Sequence, residues 1–341
     1  MADIAIVILN WNTRRLLEQY LPLVIEYSRA MATEIWVADN ASSDGSLDML
    51  LQKFPSVKTI ALEKNFGFAG GYNRALGRIR AKYYMLLNSD VEVSEGWLDP
   101  LFIFMEANPA AASCMPKIRS FHDRSRFEYA GAAGGFLDYL GYPFCRGRIF
   151  DALEEDKGQY DELTEIFWAT GACSLIRAEI FHRMGGFDEL LFAHQEEIDL
   201  CWRMKRAGYS IWCCPQSTVY HIGGGTLPKS NPWKTYLNFR NNLILLFKNL
   251  PPHRLSKILL ARLFLDGISG LRFLLRGDLS DMLAVIRAHF AFYGLMHNYR
   301  EYRKQQVWKD EPSNVKGSYG KSIAWDFFIR KIRNFSELKG I

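Results

Sequence analysis

The tripeptide Asn88-Ser89-Asp90 follows a continuous apolar run at residues 84–87. Such a run is typical of a central β-strand covered on both faces, and the polar residues come where this strand would leave the sheet. Ligands of open α/β sheets bind beyond the carboxyl ends of strands, and hard divalent cations prefer oxygen ligands. Asp90 is therefore a candidate cation ligand. The alternative is a turn or a helix cap, because Asn, Ser and Asp also favour those positions.

Polar residues follow other predicted strands in the same way. Asn10 closes a β-branched apolar run at residues 4–9, and Asp39 and Asp44 follow a second run at 34–38. The carboxyl ends of parallel strands meet at one edge of a sheet, so we expect these side chains on the same edge as Asp90. This layout is typical of nucleotide-binding sheets.

A glycine-rich loop follows the third predicted strand at residues 57–62. Gly67, Gly70 and Gly71 could let backbone N–H groups approach a phosphate or a ribose, although such a loop more often marks a tight turn. No GxGxxG follows the first strand, and the chain has no GxxxxGK[ST]. The fingerprints of dinucleotide-binding and P-loop proteins are therefore absent.

Glu196, Glu197 and Asp199 place three carboxylates within four positions of a predicted helix. Their mutual repulsion is costly on a purely structural helix and useful beside a cation or a proton donor. The alternative is a solvated acidic helix N-terminus, which the helix dipole favours. His221 ends a predicted strand beside three glycines, which makes it a better ligand candidate than an average structural histidine.

The elements between these residues predict an α/β protein. Four strand–helix repeats in the first 90 residues predict a doubly wound, mostly parallel sheet, with a helix expected from Arg74 onwards. Residues 118–165 show no sustained period, which favours a functional or mobile insertion. Strands are expected again at 210–214 and 218–222.

Composition describes a globular chain of 341 residues, 49% hydrophobic and 23% charged. Its six cysteines form no CxxC pair and no zinc spacing, which favours buried free thiols in a reducing compartment. No signal peptide and no membrane-spanning run is evident, so we expect a cytoplasmic protein.

The C-terminal third differs in charge and in periodicity. Residues 229–341 carry 20 Lys and Arg against 8 Asp and Glu, a net charge of +12, whereas residues 1–228 carry a net charge of −7. We expect a catalytic domain at 1–228 and a basic helical region at 229–341. Its helices, at 238–249, 256–275 and 280–299, either lie in a membrane interface or pack as a subdomain, and the tail aromatics Trp308, Trp325, Phe327 and Phe328 fit a membrane anchor.

The chain resembles the family 2 glycosyltransferases, the inverting enzymes of the GT-A fold, and most closely their rhamnosyltransferase-like branch. The resemblance covers about residues 3–250 and rests on eight motifs in order, which are highly specific together. The motifs occupy residues 7–12, 37–46, 65–73, 86–90, 170–172, 185–189, 196–201 and 220–225.

The resemblance implies a GT-A sheet and roles for individual residues. The donor nucleotide sugar would lie against Asn10, Asp39, Asp44, Gly67, Gly71, Asn73, Asn88, Gly171 and Ala172. Asp90, at the last position of the family's DxD-like motif, and His221 would hold Mg²⁺ or Mn²⁺ at the donor diphosphate. Glu197 would be the general base that deprotonates the acceptor hydroxyl, with Glu196 or Asp199 as alternatives.

Two positions depart from the family pattern. Asn88 stands where a first carboxylate is common, and Glu197 stands where the family usually has Asp. The expected function is transfer of a sugar from dTDP-rhamnose or a UDP-sugar to a glycan or polyprenyl-linked acceptor in cell-surface polysaccharide synthesis. The alternative is a nucleotide-sugar-binding protein with impaired or no turnover.

Expectations about partners follow from the C-terminal third. Its basic residues alternate with long apolar helices rather than with flexible arms, so nucleic-acid binding is disfavoured. An anionic membrane surface on the inner face of the cell membrane and a homodimer are the partners that these helices fit.

Overall fold

Strand β4 forms the centre of the main sheet, as its apolar sequence predicts. A computed structural model describes residues 2–29, 32–223, 231–308 and 315–341. Tyr83 to Leu87 are all buried, because β1 pairs with β4 on one side and β12 on the other. The strands are β1 (Ala2–Asn10), β2 (Thr33–Asp39), β3 (Lys58–Ala61), β4 (Ala81–Leu87), β5 (Val91–Val93), β6 (Ala111–Ser120), β7 (Gly135–Asp138), β8 (Pro143–Cys145), β9 (Arg148–Ile149), β10 (Ala152–Leu153), β11 (Thr164–Ile166), β12 (Cys173–Arg177), β13 (Ser210–His221) and β14 (Ser318–Tyr319).

The main sheet has the order β11-β13-β6-β12-β4-β1-β2-β3, and β5 pairs with β13. Its β4-β1-β2-β3 half is parallel, as expected from the strand–helix repeats. In the other half, β6 and β13 are parallel to each other, but β12 runs antiparallel between β4 and β6. The expected mostly parallel sheet flanked by helices is confirmed, with an antiparallel insertion beside its centre.

Helices cover the sheet and then continue as a C-terminal helical region. They are α1 (Arg14–Tyr27), α2 (Ser46–Lys53), α3 (Gly67–Leu76), α4 (Asp99–Ala107), α5 (Ala178–Arg183), α6 (Glu196–Arg206), α7 (Pro232–Asn249), α8 (Pro252–Leu275), α9 (Leu279–Leu295), α10 (Arg300–Gln305) and α11 (Ile323–Phe328). None of the helices in the described ranges combines the length and the apolar character needed to cross a bilayer. The expected domain boundary at residue 228 lies outside the described residues.

Two local predictions are wrong. Helix α3 begins at Gly67 rather than at Arg74, because three glycines allow it to pack closely on neighbouring elements. Residues 210–221 form one strand rather than two, since β13 continues through a bulge between Cys214 and Thr218 where its register with β6 shifts.

The insertion at residues 118–165 is ordered as a second, smaller sheet. Its strands follow the order β10-β9-β8-β7-β14, so residues 318–319 complete it. The tail packs on this sheet: the Phe335 ring lies 4.8 Å from the Phe136 ring, and the backbone N–H of Ile323 donates to Asp138 at 2.9 Å. Phe327 is therefore buried and does not serve as a membrane anchor, whereas Trp325 remains exposed.

Candidate active site

The carboxyl ends of β1 and β2 bring together Asn10 and Asp39. The two residues are partners in the parallel register, and the Asn10 Nδ2 atom donates to Asp39 Oδ1 at 2.6 Å. The backbone N–H of Ser42 donates to the other carboxylate oxygen at 2.9 Å. Both side chains are buried. The Asp39 carboxylate is thus held in one orientation at the sheet edge where the sequence predicts a nucleotide.

Asp44 joins the starts of two helices. Its carboxylate accepts from the backbone N–H of Arg14 at 2.8 Å and of Ser46 at 3.1 Å. Partial burial opposes its charge, but these hydrogen bonds outweigh the burial and lower the pKa of Asp44. Asp44 therefore stays ionised and fixes the loop that follows Asp39.

The glycines of α3 serve close packing. A Cβ atom at Gly67 would lie 2.5 Å from Phe192, and one at Gly71 would lie 2.8 Å from the Leu9 side chain. A Cβ at Gly171 would similarly meet the Phe68 ring at 2.8 Å. Any larger residue would push α3 away from the sheet edge and from the turn that contains Phe192.

Asn73 connects α3 to the segment that precedes α6. Its Nδ2 atom donates to the carbonyl of Phe187 at 2.9 Å, and its Oδ1 atom accepts from the backbone N–H of the same residue at 2.9 Å. These bonds occupy the Asn73 amide. The contact therefore positions the segment before α6, which carries the candidate base.

Asn88, Asp90 and Ala172 lie where β4 and β12 meet. The backbone N–H of Asn88 donates to the carbonyl of Ala172 at 2.9 Å. The chain then turns into β5, which pairs with β13 so that Val91 stands opposite His221. This pairing brings Asp90 next to His221, although 131 positions separate them in the sequence.

Asp90, His221 and Glu128 form a buried cluster. The His221 Nε2 atom lies 3.1 Å from Asp90 Oδ1, and His221 Nδ1 lies 3.0 Å from Glu128 Oε2. Burial opposes a charge on His221, but hydrogen bonds and charges from both carboxylates outweigh it and raise the pKa of His221 to about 10. Glu128 was not predicted from the sequence, because this residue lies in the insertion at residues 118–165, which shows no periodic pattern.

This cluster fits a divalent cation. Asp90 would supply an oxygen, and His221 would supply an imidazole nitrogen once a cation displaces the proton that the two carboxylates favour on the ring. Glu128 Oε2 lies beside the other ring nitrogen, where metal-binding histidines commonly have a carboxylate. Within residues 2–29, 32–223, 231–308 and 315–341, no group of three or more His, Cys, Asp or Glu side chains has metal-binding geometry. A cation here would therefore need oxygens from the donor diphosphate, which is how Mg²⁺ is commonly bound.

Glu196 and Glu197 begin α6, at the end of a turn with an unusual backbone. Each carboxylate has one buried oxygen that lacks a hydrogen-bond partner. Burial raises the pKa of Glu197 to about 7, and burial together with the neighbouring Glu197 charge raises that of Glu196 well above its usual value. A pair of carboxyl groups with such raised pKa values is typical of a catalytic acid–base site.

Asp199 has a different environment. It is fully buried, and it accepts from Arg203 Nε at 2.8 Å, Lys248 Nζ at 2.9 Å and Asn249 Nδ2 at 2.9 Å. Burial opposes its charge, but Arg203 and Lys248 outweigh this effect and lower the pKa of Asp199 to about 2. These contacts favour a structural role over the role of base.

Comparisons with known proteins agree with this geometry. The family model described as glycosyl transferase family 2 matches residues 5–185. An N-acetylglucosaminyl-diphospho-decaprenol L-rhamnosyltransferase of Mycobacterium tuberculosis is 27% identical over 213 residues, which cover 57% of this chain and 69% of that protein.

Two solved structures share the fold at low sequence identity. A mannosyltransferase from Pyrobaculum calidifontis, in complex with GDP-Man and Mn²⁺, gives a TM-score of 0.51 at 14% identity, covering 89% of this chain and 82% of that one. GalNAc-T7, with UDP, GalNAc and Mn²⁺, gives a TM-score of 0.56 at 16% identity, covering 73% of this chain and 48% of that one. Since the family model matches more than half of its residues, this chain belongs to glycosyltransferase family 2 and is a glycosyltransferase of the GT-A fold.

Proposed function

We propose that this enzyme is a metal-dependent, inverting glycosyltransferase that uses dTDP-rhamnose or a UDP-sugar. Its acceptor would be a glycan or a polyprenyl-linked saccharide of a cell-surface polysaccharide. This proposal rests on the presence of two chemically different groups of side chains in one protein. One is the Asp90–His221–Glu128 cluster, which suits a cation, and the other is the Glu196/Glu197 pair, in which each carboxylate has a buried oxygen without a hydrogen-bond partner. The relative from M. tuberculosis supports the acceptor class by its name.

On the donor side, the residues at the sheet edge would bind and orient the nucleotide. The fixed Asp39 carboxylate would accept hydrogen bonds from the nucleoside, and Asn10 would hold that carboxylate. Asp90 and His221 would hold Mg²⁺ or Mn²⁺. The two solved neighbours contain Mn²⁺, and a bound cation stabilises the negative charge of a leaving diphosphate.

On the acceptor side, Glu197 would take the proton of the attacking hydroxyl. The hydroxyl oxygen forms the new bond to the anomeric carbon while the bond to the donor phosphate breaks, and that electron pair leaves with the nucleoside diphosphate. A direct displacement needs one base and no enzyme nucleophile, and it inverts the anomeric centre. The raised pKa of Glu197, about 7, matches a base that works near neutral pH.

Donor hydrolysis tests this proposal. Purified protein is incubated with UDP-glucose, UDP-GlcNAc, GDP-mannose and dTDP-rhamnose, with Mn²⁺ or with EDTA, and free nucleoside diphosphate is measured. We expect slow release from one dTDP or UDP donor that EDTA abolishes. Tight dTDP or UDP binding without release, even with polyprenyl-linked acceptors, would favour the alternative of a binding protein. Absence of nucleotide binding would contradict the proposal.

We also propose that α8 and α9 dock on an anionic phospholipid surface at the inner face of the cell membrane. The buried residues of α8 include Arg262 and Asp266, which pair with each other inside the protein. Its exposed face is apolar: Phe264 is 69% exposed and Leu275 is 80% exposed, and Phe290 of α9 is 72% exposed. A helix that buries an Arg–Asp pair and exposes large apolar side chains is suited to lipid rather than to water.

Charge supports a lipid surface over a second copy of the chain. The same two helices and their connection expose four cations, Lys257, Arg272, Arg276 and Arg287. Phospholipid headgroups of negative charge complement these cations, whereas a homodimer would bring two such sets together.

A further inference from the structure

We propose that Asn241, together with Arg240 and Asn242 of α7, is a positioning residue for the Glu196/Glu197 pair. The inference rests on the proposed function, in which Glu197 removes the proton of the acceptor. It concerns a helix that lies outside the residues matched by the family model.

The turn that leads into α6 has an unfavourable backbone. Three residues of this turn have positive φ angles, which residues other than glycine rarely adopt. They are Phe192 at 65°, His194 at 70° and Gln195 at 73°. Gln195 directly precedes Glu196 and is the N-cap of α6. Such conformations persist only where the surrounding structure fixes them, and they are common at functional sites.

Asn241 supplies much of that fixation. Its Nδ2 atom lies within hydrogen-bond distance of three backbone carbonyls of the turn: Leu191 at 2.9 Å, Ala193 at 2.8 Å and His194 at 2.7 Å. The side chain is fully buried. A buried amide donor that faces three carbonyl groups of one turn helps to define the path of that turn.

Arg240 orients this amide and extends the contact. Its Nε atom donates to Asn241 Oδ1 at 2.9 Å, which leaves the Nδ2 atom directed at the turn. Its Nη2 atom donates to the carbonyls of Leu190 and Leu191, each at 3.0 Å. The guanidinium and the carboxamide therefore hold four carbonyl groups within residues 190–194.

Asn242 holds the cap residue itself. Its Nδ2 atom donates to Gln195 Oε1 at 2.9 Å, and Gln195 Nε2 donates to the carbonyl of Asn238 at 3.1 Å. Arg262 of α8 donates to the Asn242 Oδ1 atom, which fixes the orientation of that amide in turn. Gln195 is thus bonded to α7 through both ends of its side-chain amide.

The same helix also holds α6 beyond the carboxylate pair. Lys248 and Asn249, two turns further along α7, both donate to Asp199. Helix α7 therefore bonds to the chain before and after Glu196 and Glu197. A general base must lie within hydrogen-bond reach of the proton that it removes, and a displacement of about 1 Å costs about 100-fold in rate. These contacts are suited to setting that distance.

The test compares Asn241→Ala with Leu245→Ala, a fully buried residue of the same helix that makes no side-chain hydrogen bond to the turn. For the donor that the wild type hydrolyses among the four named above, kcat, KM, nucleotide affinity, thermal unfolding and the pH dependence of kcat are measured. We expect Asn241→Ala to lower kcat by about 10- to 100-fold and to move the acidic limb of its pH profile, with nucleotide affinity within about twofold. Leu245→Ala should lower the unfolding temperature only.

A second variant tests the inference even if Asn241→Ala does not fold. Gln195→Gly removes the amide that Asn242 holds but tolerates the φ angle of 73°. It should also lower kcat and move the acidic limb. Wild-type values of kcat and an unmoved pH profile in the folded variants, or losses no larger than in Leu245→Ala, would overturn this inference alone. If the wild type hydrolyses no donor, the proposed function fails, and the inference fails with it.

Discussion

His221 Nε2 lies 3.1 Å from Asp90 Oδ1, and the backbone N–H of Ile222 donates to the Asp90 carbonyl at 3.1 Å. The two residues are therefore joined through their side chains and through the ends of β5 and β13. On the far side of the imidazole, Glu128 Oε2 lies 3.0 Å from Nδ1. A carboxylate oxygen therefore lies close to each ring nitrogen of His221.

Glu128→Gln tests the role of the third member of this cluster. Loss of a carboxylate behind a metal-binding histidine commonly lowers metal affinity by about 10- to 100-fold. We therefore expect the Mn²⁺ concentration that half-saturates dTDP or UDP binding to rise by about that factor, with kcat largely retained at saturating Mn²⁺. Calorimetry at graded Mn²⁺ concentrations measures the shift without relying on turnover.

Glu92→Gln is the matched control for Glu128→Gln. Glu92 stands opposite Tyr220 in the same β5–β13 pair, and its carboxylate pairs with Arg124 rather than with His221. This variant should leave the Mn²⁺ dependence unchanged. Equal shifts in the two variants, or none in Glu128→Gln, would contradict a metal site at His221.

Glu197→Gln should abolish transfer. The amide keeps the size of the side chain but cannot accept a proton, and loss of a general base typically costs about 10²- to 10⁴-fold in rate. Nucleotide affinity should change by less than about twofold, because the nucleotide would be bound by the residues at the sheet edge, such as Asp39, rather than by Glu197. Single-turnover release of nucleoside diphosphate measures the loss.

Glu196→Gln distinguishes the role of Glu196 from that of Glu197. Burial and the neighbouring Glu197 charge raise the pKa of Glu196 and so favour its neutral form, which a glutamine resembles. Its rate should therefore fall much less than that of Glu197→Gln. The reverse order would assign the base to Glu196.

The rate of donor turnover should depend on pH in one direction. The base must be deprotonated to act, and burial raises the pKa of Glu197 to about 7. kcat should therefore fall about tenfold per pH unit below pH 7 and level off above it. Stopped assays between pH 5 and pH 9 check this, with circular dichroism to confirm folding, and the limb should vanish in Glu197→Gln. A flat profile across this range would argue against a base with a raised pKa.

Lys248→Met should destabilise the protein. It removes a cation that Asp199 and Asp188 share inside the structure, and breaking one partner of a buried ion pair costs about 3 kcal/mol or more. The free energy of unfolding in urea should fall by about that amount. Asp199→Asn should have a similar effect, which would show Asp199 to be structural. Lost turnover at unchanged stability would instead support a direct role.

Replacing the apolar surface of α8 should weaken lipid binding. In Phe264→Ser/Leu275→Ser, two exposed apolar side chains are lost, each worth about 1.5–3 kcal/mol when fully buried, so partitioning should fall at least roughly tenfold. Sedimentation with vesicles of phosphatidylglycerol and phosphatidylcholine measures this. Binding should also weaken as salt is raised.

Ile103→Ser is the control for that surface. Ile103 is 66% exposed on α4, away from the two C-terminal helices, and its replacement should leave vesicle binding unchanged. A second copy of the chain would be the partner if the wild-type protein does not bind vesicles but forms dimers, and if Phe264→Ser/Leu275→Ser prevents dimer formation.

The sequence predicted the parts of this protein whose structure depends on local pattern. The apolar run at β4 forms a buried strand, as predicted, and the polar residues after β1, β2 and β4 lie at one edge of the sheet, because the ends of parallel strands share one side. Helix α3 was misjudged, since the glycine content of residues 67–71 argues for a loop when its packing against Leu9 and Phe192 is unknown.

The contacts that depend on distant residues could not be predicted. Nothing in the sequence around Glu128 shows that it meets His221, because the pairing of β5 with β13 and the course of the insertion bring them together. The bonds from Asn241 to the turn before α6 are similarly invisible, since a buried asparagine in a helix has no local signature. Only a three-dimensional arrangement assigns partners to such residues.

The pairing of β14 with β7 determines when the smaller sheet can be completed during protein synthesis. Roughly 180 residues separate Leu137 from its partner Ser318, which corresponds to roughly 10 to 35 s of synthesis at about 5–20 residues per second. During that interval the residues of α8 and α9 emerge before the smaller sheet can close. A newly made chain therefore exposes the apolar helices α8 and α9 while the smaller sheet still lacks β14, so closure of that sheet is a late event in folding.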